Sequence, residues 1–140
     1  MHNLRCSTGD LTNKEQQIIT AGFAHHSNNL KAPAFDSKRV NWLIYDDQQA
    51  IIGALTADIV WDWLYIDELW VDESVRGQGY GKQLMHKVQS YALMLKLSGI
   101  WLWTQSWQAA DFYRYLEYDE FARFADFPTG YSRIGFRKIL

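Results

Sequence analysis

Between Leu69 and Lys82 the chain reads Leu-Trp-Val-Asp-Glu-Ser-Val-Arg-Gly-Gln-Gly-Tyr-Gly-Lys. Glycines at alternate positions, Gly77, Gly79 and Gly81, flanked by Arg76 and Lys82, suit one kind of chemistry: holding an anion. Leu69 to Val71 close an apolar, aromatic-rich run, and from Gly79 to Leu97 apolar residues recur at helical spacing, so the glycines fall where a strand becomes a helix. The first turn of a helix has N–H donors without intrahelical acceptors, and the macrodipole adds partial positive charge. A phosphate is a natural guest there, and residues without Cβ let it approach the backbone.

Two nucleotide motifs fail at this turn. A dinucleotide fingerprint needs Gly-x-Gly-x-x-Gly in an early βαβ unit, and a Walker loop needs Ser or Thr after its lysine, where Gln83 stands.

Arg76-x-x-Gly79-x-Gly81, set after a strand and before a long amphipathic helix, resembles the acyl-coenzyme A pyrophosphate loop of the GNAT N-acetyltransferases. A second segment, Ala109-Ala110-Asp111-Phe112-Tyr113-Arg114-Tyr115-Leu116-Glu117-Tyr118, looks like that family's Ala-x-x-Leu-Tyr-x-x-Leu-Gly-Phe. The resemblance covers residues 39–140, and the first 38 residues match only as a strand followed by a helix. It implies acetyl transfer from acetyl-coenzyme A to a primary amine by direct attack, with no metal. Because Cys6 lies outside the motif region, no covalent enzyme intermediate is expected.

Site residues follow from the same resemblance. Tyr113 matches the tyrosine that protonates the leaving thiolate, a role a phenol near the sulfur can fill. Glu68 is chosen as the base for the amine, with Asp67 or a held water as alternatives, since residues 67 and 68 point to opposite faces of a regular strand unless a bulge intervenes. Leu69, Trp70 and Val71 would pair their backbone with pantetheine, and Arg76, Gly77, Gln78, Gly79, Tyr80, Gly81 and Lys82 would surround the pyrophosphate. Ser106 stands near where many relatives carry a cofactor-binding Asn. One position departs from the pattern: Glu117 replaces the glycine that gives the turn its freedom at positive φ.

Each residue also has a plainer explanation. Tyr113 could be a packed aromatic, Asp67 and Glu68 surface ion-pair partners, Arg76 and Lys82 ordinary helix-entry cations. A chain that kept the loop but lacked a working acid and base would be a non-catalytic acyl-coenzyme A sensor or interaction module.

The elements that would position these residues can be read in order. His2 to Arg5 suggest a short strand. Thr12, with Glu15 three residues later, starts a helix through a capping box, and that helix frays at His25-His26-Ser27-Asn28-Asn29. The resemblance places this region beside the acceptor. Adjacent histidines point ~100° apart on a helix, so no metal is expected at His25-His26. Arg39 to Tyr45, Ala50 to Val60 and Trp63 to Val71 read as an antiparallel meander. A helix over residues 79–97 should pack Tyr80, Leu84, Val88, Tyr91, Ala92 and Leu95 on a sheet and end at Ser98-Gly99. Ile100 to Thr104 then completes a βαβ unit. A helix from Gln108 to Leu116 and strands from Glu120 to Phe124 and Tyr131 to Ile139 close the chain. The expected class is α/β (α+β): a GNAT-like mixed sheet with helices on both faces.

Composition fits this frame. With 140 residues and 16.4 kDa the chain suits a single acyltransferase domain, residues 1–140. The net charge of −2, with scattered basic residues, points away from nucleic acid. One cysteine cannot form an internal disulfide, no N-terminal run has the pattern of a signal peptide, and no apolar run approaches the ~20 residues a membrane helix needs. A cytoplasmic protein is expected, acting on a small-molecule or peptide amine. A homodimer is a further possibility by analogy with relatives. Seven Trp, eight Tyr and seven Phe leave some rings to line a pocket.

Overall fold

The computed structural model describes residues 2–140, and the chain divides into two compact units between Phe35 and Asp36. In the first unit helix α1 spans Asn13–Asn29. Its start is the capping box: the Glu15 N–H donates to Thr12 Oγ1 at 3.3 Å, and the Thr12 N–H donates to Glu15 Oε2 at 2.8 Å. The Thr12 hydroxyl, which donates to Glu15 Oε2 at 2.7 Å, and then the Thr12 N–H hold the Glu15 carboxyl below its ordinary range. Two expectations fail here. Residues 2–5 form no strand, since a strand exists only where a partner completes its ladder, and α1 runs through His25 and His26 to Asn29, with Asn29 bonded back to His25 at 3.3 Å.

The second unit is a six-stranded sheet of order β1-β2-β3-β4-β6-β5. Its strands are β1 (Ser37–Tyr45), β2 (Ile51–Val60), β3 (Trp63–Val71), β4 (Gly99–Gln105), β5 (Asp119–Ala125) and β6 (Ser132–Ile139). Every pairing is antiparallel except β3 with β4. The crossover between those two is helix α2, Tyr80–Met94, so the meander leads into a βαβ unit as the pattern predicts. In the first hairpin Asp46 Oδ1 accepts from the N–H groups of Gln48 and Ala50, both at 2.8 Å.

The core lies on one face of the sheet. Leu55, Ala57, Leu64, Ile66, Ile100, Leu102, Ile134 and Phe136 meet Leu84, Met85, Val88 and Ala92 of α2, and Tyr113 of the short helix α3 (Ala110–Tyr115). The alternation of β2 and β3 delivers these residues to one side. Helix α2 stops earlier than its periodicity suggests: Lys96 takes φ 56° and Leu95 is exposed. Gly99 belongs to β4 instead, where a side chain would strike the Trp63 ring.

The other face carries rings. Tyr65 lies 4.5 Å from Trp101, and Phe121 packs at 6.2 and 5.6 Å from Trp101 and Trp103.

Candidate active site

The site begins where two parallel strands part. β3 and β4 are paired only from Trp63↔Gly99 to Ile66↔Leu102. At the next residue the β2–β3 register shifts: Ala57 pairs with Ile66 but Thr56 pairs with Glu68. Asp67 is therefore the extra residue of a bulge, which bends a strand and re-aims its side chains. Beyond it β3 stays on β2, with Leu69 opposite Leu55 and Val71 opposite Gly53, and turns an unpaired edge toward the gap.

That gap is a cleft of about 850 Å³. Of the sequence-predicted residues, Glu68, Leu69, Trp70, Val71, Arg76, Gly77, Gly79, Tyr80, Gly81, Lys82 and Tyr113 line it, and Asp67 does so too. Gln78 and Ser106 are not among the lining residues. The Ser106 hydroxyl accepts from the Ser132 N–H at 3.0 Å and its own N–H donates to Ser132 O at 2.8 Å, which ties it to the start of β6.

The bulge changes the geometry of the two carboxylates, because both leave the same side of the strand. Asp67 Oδ2 accepts from Arg39 at 2.9 Å, and the same guanidinium donates to Asp58 at 2.7 Å. Glu68 Oε2 accepts from the Thr56 hydroxyl at 2.9 Å. Among the described residues Asp67 is paired with a cation, and Glu68 is not. Nearby, burial and the Asp67 charge push the Tyr65 phenol above its ordinary value.

At the opposite end Gly77 and Gly79 have φ of 77° and 88°. Gly79 is the N-cap of α2 and its carbonyl accepts from Gln83 at 2.9 Å. Tyr80 to Lys82 stand at the cleft wall, in the first helical turn, where N–H groups have no acceptor one turn back in the helix. Gly81 lies inside the helix, 3.5 Å from the Phe112 ring when a Cβ is placed on it. Arg76 Nε donates to Val71 O at 3.0 Å, so this guanidinium joins the end of β3 to the loop and takes one carbonyl of the predicted pantetheine-pairing set. Lys82 Nζ rests 3.5 Å from Tyr115 Oη. Positive charge thus sits at the loop end of the cleft, and the carboxylates sit at the bulge end.

Tyr113 comes from α3 and is 6% exposed, packed 5.8 Å from Phe136 and 5.3 Å from Phe112. Burial pushes its phenol up to about 12. Its position depends on the end of α3, where Glu117 adopts φ 65° and the Tyr118 N–H reaches back to Tyr113 O at 3.0 Å. That is a six-residue helix-ending loop with Glu117 in the place that favours glycine, so the turn survives the departure from the family pattern.

Sequence reasoning missed Thr104, Gln108 and Phe112 as cleft residues. Gln108 Oε1 accepts from Thr104 Oγ1 at 3.2 Å and from the Gln105 N–H at 3.0 Å. The glutamine read as a helix start therefore caps the end of β4. The burial of Thr104 at an inward position of that strand is the only signal that could have found it.

Known proteins share this arrangement. The profile of the acetyltransferase (GNAT) family matches residues 10–118. Blasticidin-S acetyltransferase from Streptomyces morookaense is 33% identical over 81 residues, 57% of this chain and 60% of that protein, so the match spans less than two thirds of that relative. An acetyltransferase from Bacillus cereus ATCC 14579 superposes with a TM-score of 0.82 at 30% identity, over 96% of this chain and 98% of that one. A Bacillus anthracis protein assigned as a streptothricin acetyltransferase, solved with acetyl coenzyme A, superposes with a TM-score of 0.65 at 21% identity, over 73% of this chain and 62% of that one. The family match over most of the chain, together with the parted strands and the glycine-capped helix, establishes that the protein belongs to the acetyltransferase (GNAT) family.

Proposed function

We propose that the protein transfers an acetyl group from acetyl-coenzyme A to a primary amine by direct attack. The observation that carries this reading is the single cleft that gathers Glu68, Tyr113 and the loop from Arg76 to Lys82. The residues fit the donor. The loop offers unpartnered N–H groups and the Arg76 guanidinium to a pyrophosphate, and the free edge of β3 from Glu68 to Trp70 offers backbone groups to the pantetheine amides. The nucleotide end would continue past Lys82, which also borders a second groove of about 550 Å³ along α2. Ser106 and Gln78 are retained as outer contacts that ligand binding would have to recruit.

In the proposed step the amine nitrogen bonds to the acetyl carbon and the carbon–sulfur bond breaks. Glu68 takes the proton the amine must lose, and Tyr113 gives its proton to the departing sulfur; the products are the N-acetyl amine and free coenzyme A. Burial of Tyr113 keeps that proton in place at neutral pH. A cysteine-like thiol, ordinarily near ~8.5, is the stronger acid, and burial disfavours the phenolate as it does the thiolate, so Tyr113 meets the charge growing on sulfur with a hydrogen bond, and its proton crosses as one returns to it from solvent while the proton on Glu68 leaves to solvent.

The acceptor we favour is a small molecule or peptide bearing a primary amine, with blasticidin S the first to try because of the relative named above. The family match runs across the boundary between the two units, which supports treating residues 1–140 as one acyltransferase domain. The free thiol of Cys6 fits a reducing cytoplasm. β5 ends the sheet with an open edge bearing exposed Phe121 and Phe124, a surface through which a homodimer could pair; light scattering tests it.

Calorimetry with acetyl-coenzyme A, followed by thiol release over an amine panel with the native protein and Tyr113→Phe, decides the main point. Binding with turnover that Tyr113→Phe lowers about a hundredfold or more supports the reading. Binding without turnover favours a non-catalytic acyl-coenzyme A sensor, and absence of binding defeats both.

A further inference from the structure

The ion-pair cluster at the bulge has a role of its own. Arg39, on β1, stands directly opposite Asp58 on β2, and Asp58 stands opposite Tyr65 on β3. Its guanidinium crosses β2 and holds Asp58 at 2.7 Å and Asp67 at 2.9 Å. One planar fork therefore ties three strands together at the level where β3 leaves β4.

The cluster is a poor stabilising device. The side chains of Arg39, Asp58 and Asp67 are 42%, 36% and 42% exposed, and exposed pairs of this kind contribute ~1 kcal/mol or less. Its location says more. Asp67 is the residue that the ladder leaves over, so nothing in the backbone pairing fixes its direction, and Arg39 supplies what the ladder lacks. The next residue is Glu68, whose carboxylate depends on the same bulge for its aim and among the described residues is held by the Thr56 hydroxyl.

We infer that Arg39 is a positioning residue for acetyl transfer: by clamping Asp67 it fixes the direction of the bulged residue and so points Glu68 at the acceptor amine. Arg39 touches no reacting atom in this scheme, and Asp67 serves as its anchor and not as the base. The inference rests on the reading of Glu68 given under Proposed function.

Arg39→Ala, Arg39→Lys and Asp67→Asn test it, assayed with the amine that the panel identifies and with acetyl-coenzyme A binding followed by calorimetry. Arg39→Ala should lower kcat by about tenfold to a hundredfold through misplacement of Glu68. The affinity for acetyl-coenzyme A should move less than about threefold and the melting midpoint by a few degrees at most, because the pairs are exposed. Millimolar guanidinium should restore part of the lost kcat, and Arg39→Lys, which can hold only one carboxylate well, should fall between. Asp67→Asn keeps an oxygen for the guanidinium and should stay within about fivefold of the wild type, whereas loss of a true base costs about a hundredfold or more.

Wild-type turnover by Arg39→Ala overturns the inference, as does a kcat loss that only follows a loss of fold. A collapse of Asp67→Asn as deep as that of a base variant overturns it too, by making Asp67 the base. An inactive wild type defeats the acetyl-transfer reading itself, which separates that failure from a failure confined to Arg39.

Discussion

Asp67 and Glu68 are consecutive in the chain, yet their carboxylates leave β3 on the same side, one to Arg39 and the other to Thr56, each at 2.9 Å. A regular strand would send them to opposite faces. The bulge removes that constraint and divides their partners, one carboxylate meeting a guanidinium and the other the Thr56 hydroxyl in the cleft.

Replacing Glu68 with Gln checks this division. The amide oxygen can still accept from Thr56, so the fold and the cofactor affinity should hold. The rate constant kcat/KM should fall about a hundredfold to ten-thousandfold, the range for loss of a positioned general base. Steady-state kinetics beside calorimetry read both quantities. A variant with wild-type kinetics would move the base to Asp67 or to a water.

The glycine loop separates into parts with different demands. Gly79 holds φ 88° at the N-cap of α2, a conformation that costs an L-residue ~1–2 kcal/mol. Gly79→Ala should therefore twist the N–H groups away from the pyrophosphate and weaken acetyl-coenzyme A binding by about tenfold, the equivalent of ~1.4 kcal/mol. Gly81→Ala meets only ordinary contact with Phe112 and Val71 and sits in a helix that favours alanine. It should bind within about threefold of the wild type, since no strain is added. Equal losses in the two variants would show that the closeness of the ligand, and not the backbone conformation, sets the requirement.

Much of the fold and of the site could be read from the chain because the signals are local. The capping box needs only Thr12 and Glu15, and the strand–glycine–helix passage needs only residues 69–97. The parting of β3 and β4, the bulge and the clamp could not be read in this way. Arg39 and Asp67 are 28 positions apart, and their meeting depends on the register of two hairpins, a property of hydrogen-bond pairing that no single segment encodes. Gln108 illustrates the same limit, because its side chain closes onto Thr104 and Gln105 where periodicity suggested a helix start. Leu95 keeps the helical period but lies past the end of α2, since the left-handed Lys96 ends the helix without a glycine.

Glu117 carries the helix-ending turn at φ 65°. Glycine there would remove a left-handed strain of ~1 kcal/mol, offset in part by the greater freedom of the unfolded chain. The Glu117 carboxylate is 86% exposed and 3.9 Å from Lys138, an ion pair of small consequence. Glu117→Gly should thus be neutral or stabilising by up to ~1 kcal/mol, read from the urea midpoint. A clear destabilisation would mean that the Lys138 contact matters more than its exposure suggests.

Alkaline stability tests the burial of Tyr113 directly. Its phenol is pushed up to about 12 in the folded chain by burial, from an ordinary 10.0. Between those two values the unfolded chain releases the proton while the folded chain still holds it, so proton loss favours unfolding. Stability is therefore complete below pH ~10 and declines as the pH climbs toward ~12, by about 3 kcal/mol in all for this group. Tyr118, raised by its own burial and by the neighbouring Tyr113, adds in the same direction. Tyr113→Phe should shallow the fall in urea midpoint between neutral pH and about pH 11 relative to the wild type. Parallel curves for the two proteins would mean that the Tyr113 hydroxyl meets water in the folded state, and that burial does not hold its proton.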